Sequence, residues 1–213
     1  MQFLKTLNIP NKLTLLRIIL VIPIIILATI NTIIFHQSEL ILNEKLNSPT
    51  AVTFFISNIL FFLIFIIAMI TDYFDGKIAR SKNLITPFGK LWDPLADKMI
   101  TTTALIYLTA ISYTPIWSTL LFILRDLIVD GCRGLLIKNN KEVAANYWGK
   151  LKTMLMSIAI PIILLFLIIA QPLASIKFDY WIIMILNIPL FIAQFFSLFS
   201  GLIYIKSTWK FML

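Results

Sequence analysis

Residues 51–80 read AVTFFISNILFFLIFIIAMITDYFDGKIAR, an apolar run to Thr71 that leads directly into a stretch carrying Asp72, Asp75, Lys77 and Arg80. A bilayer helix needs about 20 consecutive apolar residues, so 51–71 predicts a membrane span, with the helix continuing to about Arg80. Stretches free of Asp, Glu, Lys and Arg cover 18–38, 46–71, 99–124, 153–176 and 180–205, each of at least 21 residues. The stretch 99–124 is interrupted at Ser112-Tyr113-Thr114-Pro115 and then meets Arg125, Asp126, Asp130 and Arg133, so it divides into two helices. The expected spans are 14–35, 51–71, 94–112, 115–137, 149–170 and 180–204.

The expectation is therefore an all-α, polytopic membrane protein with six transmembrane helices, residues 1–213 forming one intramembrane domain. Composition agrees: of 213 residues 60% are hydrophobic and 13% charged, and the mean hydropathy is +0.94, outside the range of a water-soluble domain. With both termini cytoplasmic, 15 of the 18 basic residues fall on the inner side, only Lys45 and Lys177 lie outside, and Arg125 sits within the fourth span. The positive-inside rule favours that arrangement over a five-span one, which would put the 72–98 and 133–152 clusters on opposite faces. The first span has the basic flank of a signal peptide, but it is long and Ala28-Thr29-Ile30 is no cleavage site, so it is expected to remain as an anchor. The net charge of +8 does not indicate nucleic acid, because Lys and Arg sit in short clusters between apolar runs. One cysteine, Cys132, and one histidine, His36, exclude an intrachain disulfide and a Cys/His zinc site.

Of ten acidic residues, Asp72, Asp75, Asp93 and Asp97 fall in one 26-residue window after the second apolar run. Asp72 and Asp75 are i,i+3 on one helix and Asp93 and Asp97 i,i+4 at the start of the next, so each pair shares a face. Carboxylates at a membrane boundary are costly unless they meet a cation, a partner or water. Four together, with no Cys or His beside them, suit hard divalent ions, Mg²⁺ or Mn²⁺, and two ions are the natural occupancy. Gly76 and Ala79 leave room for a ligand, Arg80 can pair with phosphate, and Gly89 lies in the Thr86-Pro87-Phe88-Gly89 turn, a set that suits a pyrophosphate. A plainer alternative exists: Asp93-Pro94 is also an ordinary N-cap with Pro at N1, and Asp72 or Asp75 alone could be a solvated helix end.

Together these residues read Asp72-x2-Asp75-Gly76-x2-Ala79-Arg80-x8-Gly89-x3-Asp93-x3-Asp97, a pattern that resembles the signature of the CDP-alcohol phosphotransferase family at all eight fixed positions. The resemblance implies metal-dependent transfer of a phosphatidyl or related group from a CDP-linked donor to an alcohol, with release of CMP. It implies that Asp72, Asp75 and Asp93 bind metal, that Asp97 both contacts metal and takes the acceptor proton as general base, and that Asp72, Gly76, Ala79, Arg80 and Gly89 serve the CDP donor. Two cations across the donor pyrophosphate would offset charge on the phosphoryl group and on departing CMP. His36 is no candidate base, since the expected topology puts it across the membrane.

The acceptor turns on the remaining cations. Arg125 lies mid-span beside Asp126, while Arg133, Lys150 and Lys152 lie at the inner ends of the fourth and fifth spans. They could form an anion pocket; equally, Arg125 could pair with Asp126 or Asp130, and the lysines could snorkel. Asn8-Ile9-Pro10-Asn11-x-Leu13-Thr14-x2-Arg17-x5-Pro23, and Val143-Ala144-Ala145 followed by Gly149-Lys150-x-Lys152-Thr153, look like bacterial phosphatidylglycerophosphate synthases. That resemblance implies CDP-diacylglycerol and glycerol-3-phosphate as substrates, in keeping with a pocket of Arg125, Arg133, Lys150 and Lys152 for a phosphate dianion. Asp126 and Asn146-Tyr147-Trp148 depart from that subfamily, and the aspartate motif alone would admit a cardiolipin, phosphatidylserine or phosphatidylinositol-phosphate synthase. The resemblance implies a homodimer, as family members commonly are, and the expected topology puts the active site at the cytoplasmic face of the cell membrane. A cation carrier using the four aspartates is the alternative of a different class, but carriers place such charges near the midplane between broken helices.

Overall fold

A computed structural model describes residues 8–40, 49–81, 86–139, 147–170 and 180–209. Among them are seven helices and no strand: α1 Ile9–Leu40, α2 Pro49–Ser81, α3 Pro87–Ala110, α4 Ile116–Lys138, α5 Tyr147–Ala170, α6 Tyr180–Leu186 and α7 Ile188–Thr208. The stretches around α1, α2, α5 and α7 are long and apolar enough to cross a membrane. α3 and α4 are of similar length, but α3 carries Lys90, Asp93, Asp97 and Lys98, and α4 carries Arg125, Asp126, Asp130 and Arg133. Charge, rather than length, separates them from the other four.

The chain divides into two compact units, Met1–Ile111 with Leu164–Lys177, and Ser112–Ile163 with Phe178–Leu213. In the first, α1 packs along both α2 and α3. Ile24, Phe61, Phe65, Ile100 and Leu108 are fully buried, while Ile19, Ile22, Ile26 and Ile33 of α1 are exposed. An exposed apolar face is the ordinary condition of a helix whose solvent is lipid. Unlike an all-apolar bundle, this unit has a polar staple: Asn31 Nδ2 donates to Asn58 Oδ1 at 3.3 Å, the Tyr107 hydroxyl donates to the same oxygen, and Ser57 Oγ donates to Asn31. Asn58 Nδ2 turns back to the Phe54 carbonyl at 2.8 Å, so the group is internally satisfied and joins α1, α2 and α3.

The start of α3 differs from expectation. Thr86 is extended at φ −112° and ψ 156° and its hydroxyl accepts from Gly89 N at 3.1 Å, which makes Thr86 the N-cap and Pro87 the N1 residue. The sequence Thr86-Pro87-Phe88-Gly89 is thus a cap and first turn rather than a free turn, and Asp93-Pro94 is not the N-cap. Two cap-plus-proline pairs compete here, and the upstream one wins because Thr86 finds both Gly89 N and a partner on α1. Asp93 and Asp97 consequently lie inside the helix, and Pro94 is carried as an internal proline, as are Pro23 in α1 and Pro161 in α5.

In the second unit α4 packs on α7 through a stripe of small and polar side chains, including Ala193, Ser197, Ser200 and Gly201. The expected single helix over 180–204 is broken at Asn187. Pro189 has no N–H and its ring crowds the preceding turn, so the helix ends and restarts there. Asn187 fastens the break: its Nδ2 donates to the Tyr113 and Ile183 carbonyls, both at 2.8 Å, and its Oδ1 accepts from Thr114 Oγ1 at 3.2 Å. The adjoining Ser112 has φ 63°, the only positive φ at a residue other than glycine among the described residues.

Candidate active site

The first unit gathers the four aspartates. Asp72 and Asp75 project from the last turns of α2, and Asp93 and Asp97 from the second and third turns of α3. Between them lies a residue of α1, Arg17, whose side chain is wholly buried. Its Nη1 donates to Asp72 Oδ1 at 2.5 Å and to Asp97, and its Nη2 donates to Asp75 and, at 3.4 Å, to Asp93 Oδ1. Each nitrogen thus bridges α2 to α3. Asp75 is nearly enclosed, whereas the Asp72 and Asp93 side chains are 39% exposed and that of Asp97 is 25% exposed. Three of the four carboxylates can therefore be approached from outside.

α1 contributes more than the guanidinium. Asn11, Thr14 and Arg17 fall at i, i+3 and i+6, on one stripe of the helix. Thr14 Oγ1 donates to Asp93. Asn11 Oδ1 accepts from Thr86 Oγ1 at 2.8 Å, which ties α1 to the N-cap of α3. Gly89 lies in the middle of this corner: a Cβ there would come within 3.2 Å of Asp93 Oδ2 and 3.5 Å of both Asn11 Oδ1 and Thr86 Oγ1. The glycine is required for close approach rather than for an unusual backbone angle. Gly76 follows Asp75 on α2, and Ala79 and Arg80 continue that helix, although their side chains lie outside the described residues.

The spacing of the aspartates was legible in the sequence, but Arg17, Thr14 and Asn11 had entered only as a basic flank and as part of a resemblance. One signal could have found them. An arginine in an apolar helix needs a partner, and Asn11, Thr14 and Arg17 make one polar stripe on a helix that is otherwise apolar there apart from the exposed Lys12. His36 is 19 residues beyond Arg17 on α1, or roughly 28 Å at about 1.5 Å per residue, so it takes no part in the site.

For metal, the donor set is chemically apt: four carboxylates, all hard oxygen ligands, converge on one point. In this arrangement the point is taken by Arg17, and among the described residues no group of three or more His, Cys, Asp and Glu side chains is placed so that it could hold a metal ion. One guanidinium balances only one of four formal negative charges, which leaves a site that still favours cations.

The second unit holds the other predicted cations. Arg125 lies along α7, with Nε donating to the Ser197 carbonyl and Nη2 to Ser200 Oγ, both at 2.8 Å. Gly201 makes room for it, since a Cβ there would meet Arg125 Cγ at 3.3 Å. Arg125 Nη1 reaches Asp126 Oδ1 at 2.7 Å, and Lys152 Nζ reaches both oxygens of Asp126 at 2.7 Å. Arg125 and Lys152 are thereby brought together around one carboxylate. Arg133 is two turns further on, its guanidinium 5.2 Å from the Tyr204 ring and its Nη2 donating to the Tyr204 hydroxyl at 3.3 Å. Lys150 is exposed on α5. Val143-Ala144-Ala145 lies outside the described residues.

Comparison with known proteins agrees with the motif. A family profile described as CDP-alcohol phosphatidyltransferase matches residues 7–193. A protein of Mycoplasma pneumoniae named CDP-diacylglycerol–glycerol-3-phosphate 3-phosphatidyltransferase is 36% identical over 206 residues, which is 95% of this chain and 88% of the relative. Proteins of the same name from Bacillus subtilis, 36% identical over 95% of this chain and 96% of the relative, and from Rickettsia felis, 34% identical over 96% and 97%, are similar end to end.

Proposed function

The chain belongs to the CDP-alcohol phosphatidyltransferase family, and from that premise we propose that it transfers the phosphatidyl group of CDP-diacylglycerol to glycerol-3-phosphate, giving phosphatidylglycerophosphate and CMP. The observation that carries this is the convergence of Asp72, Asp75, Asp93 and Asp97 on one point, in a chain similar over nearly its full length to enzymes that bear that name.

The four aspartates would hold two divalent cations, Mg²⁺ or Mn²⁺, which supply charge neutralisation across the pyrophosphate and on departing CMP. Asp97 takes the proton of the acceptor hydroxyl; its partial exposure leaves an oxygen within reach of a bound alcohol. The acceptor oxygen attacks the phosphorus bearing diacylglycerol, and the bond from that phosphorus to the CMP oxygen breaks. Thr14 fixes the rotamer of Asp93, and Asn11 fixes the cap of the helix that carries it. Gly76, Ala79, Arg80 and Gly89 serve the CDP moiety, Arg80 as its phosphate partner.

Arg125, Arg133, Lys150 and Lys152 bind the acceptor phosphate. The gathering of Arg125 and Lys152 on Asp126 supports a local field suited to an anion, with Asp126 as its internal counter-charge. The six-span reading adds α3 and α4 to the four apolar helices, and the basic bias puts both termini and the aspartates on the cytoplasmic side of the cell membrane. The family match over residues 7–193 runs through both packing units, which supports 1–213 as one functional domain; a homodimer is the assembly that the family resemblance implies.

The test is product analysis by mass spectrometry with purified protein, CDP-diacylglycerol and Mg²⁺, with glycerol-3-phosphate, serine, inositol phosphate or phosphatidylglycerol offered separately. Phosphatidylglycerophosphate and CMP with glycerol-3-phosphate alone is the expected result. Turnover with another acceptor instead overturns the acceptor assignment and leaves the aspartate chemistry standing.

A further inference from the structure

Among the described residues Arg17 is the one cation bonded to the four carboxylates, and the way it is held is informative. Both terminal nitrogens are used entirely on aspartates, Nη1 on Asp72 and Asp97 and Nη2 on Asp75 and Asp93. Its buried Nε has no hydrogen-bond partner among the described residues. Among the described residues the guanidinium is therefore anchored by the carboxylates and by no other polar group. An ion that took the same four oxygens would have to stand where Nη1 and Nη2 stand, so the two occupancies exclude each other. Without either, four carboxylates drawn from two helices would repel at close range in a medium that screens poorly.

We propose that Arg17 is a tethered counter-cation that occupies the carboxylate cluster when divalent ions are absent and is displaced from it when they bind. The proposal rests on the reading of these aspartates as a divalent-cation site. In this role Arg17 keeps α2 and α3 together at their charged ends in the empty protein, and it weakens ion binding, because every ion must first compete with a guanidinium already in place. The flexible arginine stem allows withdrawal without movement of α1, and no bond from Nε has to be broken.

The experiment is Mn²⁺ titration of the purified full-length chain in detergent after EDTA treatment, with free Mn²⁺ followed by electron paramagnetic resonance and the melting temperature measured in parallel. The proteins are the parent, Arg17→Gln, Arg17→Lys and, as a control, Asp93→Asn. Displacement predicts that Arg17→Gln binds Mn²⁺ at least tenfold more tightly than the parent, melts lower than the parent in EDTA, and gains more from Mn²⁺. Arg17→Lys, which keeps the charge but not the two-nitrogen bridge, should fall between them and serves alone if Arg17→Gln cannot be purified. Equal or weaker Mn²⁺ binding in the Arg17 variants, with normal binding by the parent and loss in Asp93→Asn, overturns displacement and leaves the cation site intact. No Mn²⁺ binding by any of the proteins overturns both.

Discussion

Gly89 offers the sharpest test of how the aspartates are positioned. A methyl group at this position would lie 3.2 Å from Asp93 Oδ2 and 3.5 Å from Asn11 Oδ1 and Thr86 Oγ1, so it is confined on three sides by oxygen atoms. Asn11 and Thr86 are bonded to each other and Thr86 caps α3, which leaves Asp93 as the group that must move, by a few tenths of an ångström. Misplacing a reacting group by 1 Å costs about a hundredfold in rate, so a shift of roughly 0.25–0.5 Å scales to a loss of about threefold to tenfold. Gly89→Ala should therefore lower kcat by that factor and raise the Mg²⁺ concentration needed for half-maximal rate, over and above any change in the CDP-diacylglycerol KM that its place at the donor brings. Thr14→Val, which removes the hydrogen bond to Asp93 without changing size, should reproduce the same pattern. The assay is CMP release at varied Mg²⁺ and varied donor. If Gly89→Ala leaves kcat and the Mg²⁺ dependence alone and raises only the donor KM, the glycine serves the nucleotide without positioning Asp93, and the argument from Asp93 is wrong.

Asp97→Asn should lower kcat by about 10²–10⁴-fold, the usual worth of a general base, while membrane insertion judged by fractionation stays normal; near-parental turnover would remove Asp97 from the mechanism. Chelation with EDTA should stop CMP release and added Mg²⁺ or Mn²⁺ should restore it, and continued turnover in EDTA would refute the metal reading. Lys152→Ala should raise the glycerol-3-phosphate KM by roughly tenfold, as expected for loss of a charge-assisted hydrogen bond, and move the donor KM much less; equal changes in both would take Lys152 out of the acceptor site. Asn58→Leu removes two interhelical hydrogen bonds, from Asn31 and Tyr107, each worth about 0.6 and at most about 1.7 kcal/mol in membrane proteins. A loss of about 1–3 kcal/mol in detergent unfolding is expected on that basis, with kcat close to parental because Asn58 lies 14 residues before Asp72 on α2, about 20 Å away; unchanged stability would make the polar staple dispensable.

Apolar run length was enough to place α1, α2, α5 and α7, because a bilayer sets a minimum length that a sequence either meets or does not, whereas α3 and α4 share one run and were separated by the interruption at Ser112-Tyr113-Thr114-Pro115. The same local pattern could not place the start of α3, since Thr86-Pro87 and Asp93-Pro94 both read as cap and first residue. The choice was made by Asn11 on another helix. Nor could it show what fastens the break at Asn187: Pro189 gives a local reason for the break, but the bonds from Asn187 to Tyr113 and Thr114 join residues more than 70 positions apart.

By itself the sequence determined that this is a helical membrane protein and that Asp72, Asp75, Asp93 and Asp97 fall in two pairs, each on one face of its helix, because helical periodicity and the cost of charge near lipid are local properties. Only the tertiary structure decided what stands between those pairs. Arg17 lies 55 residues before Asp72, and no rule of spacing links the two. Three helices must pack before a buried guanidinium and four carboxylates, each of which has to find counter-charge, can meet. The same holds for Arg125, whose place is set by the absence of a side chain at Gly201 on a helix far along the chain.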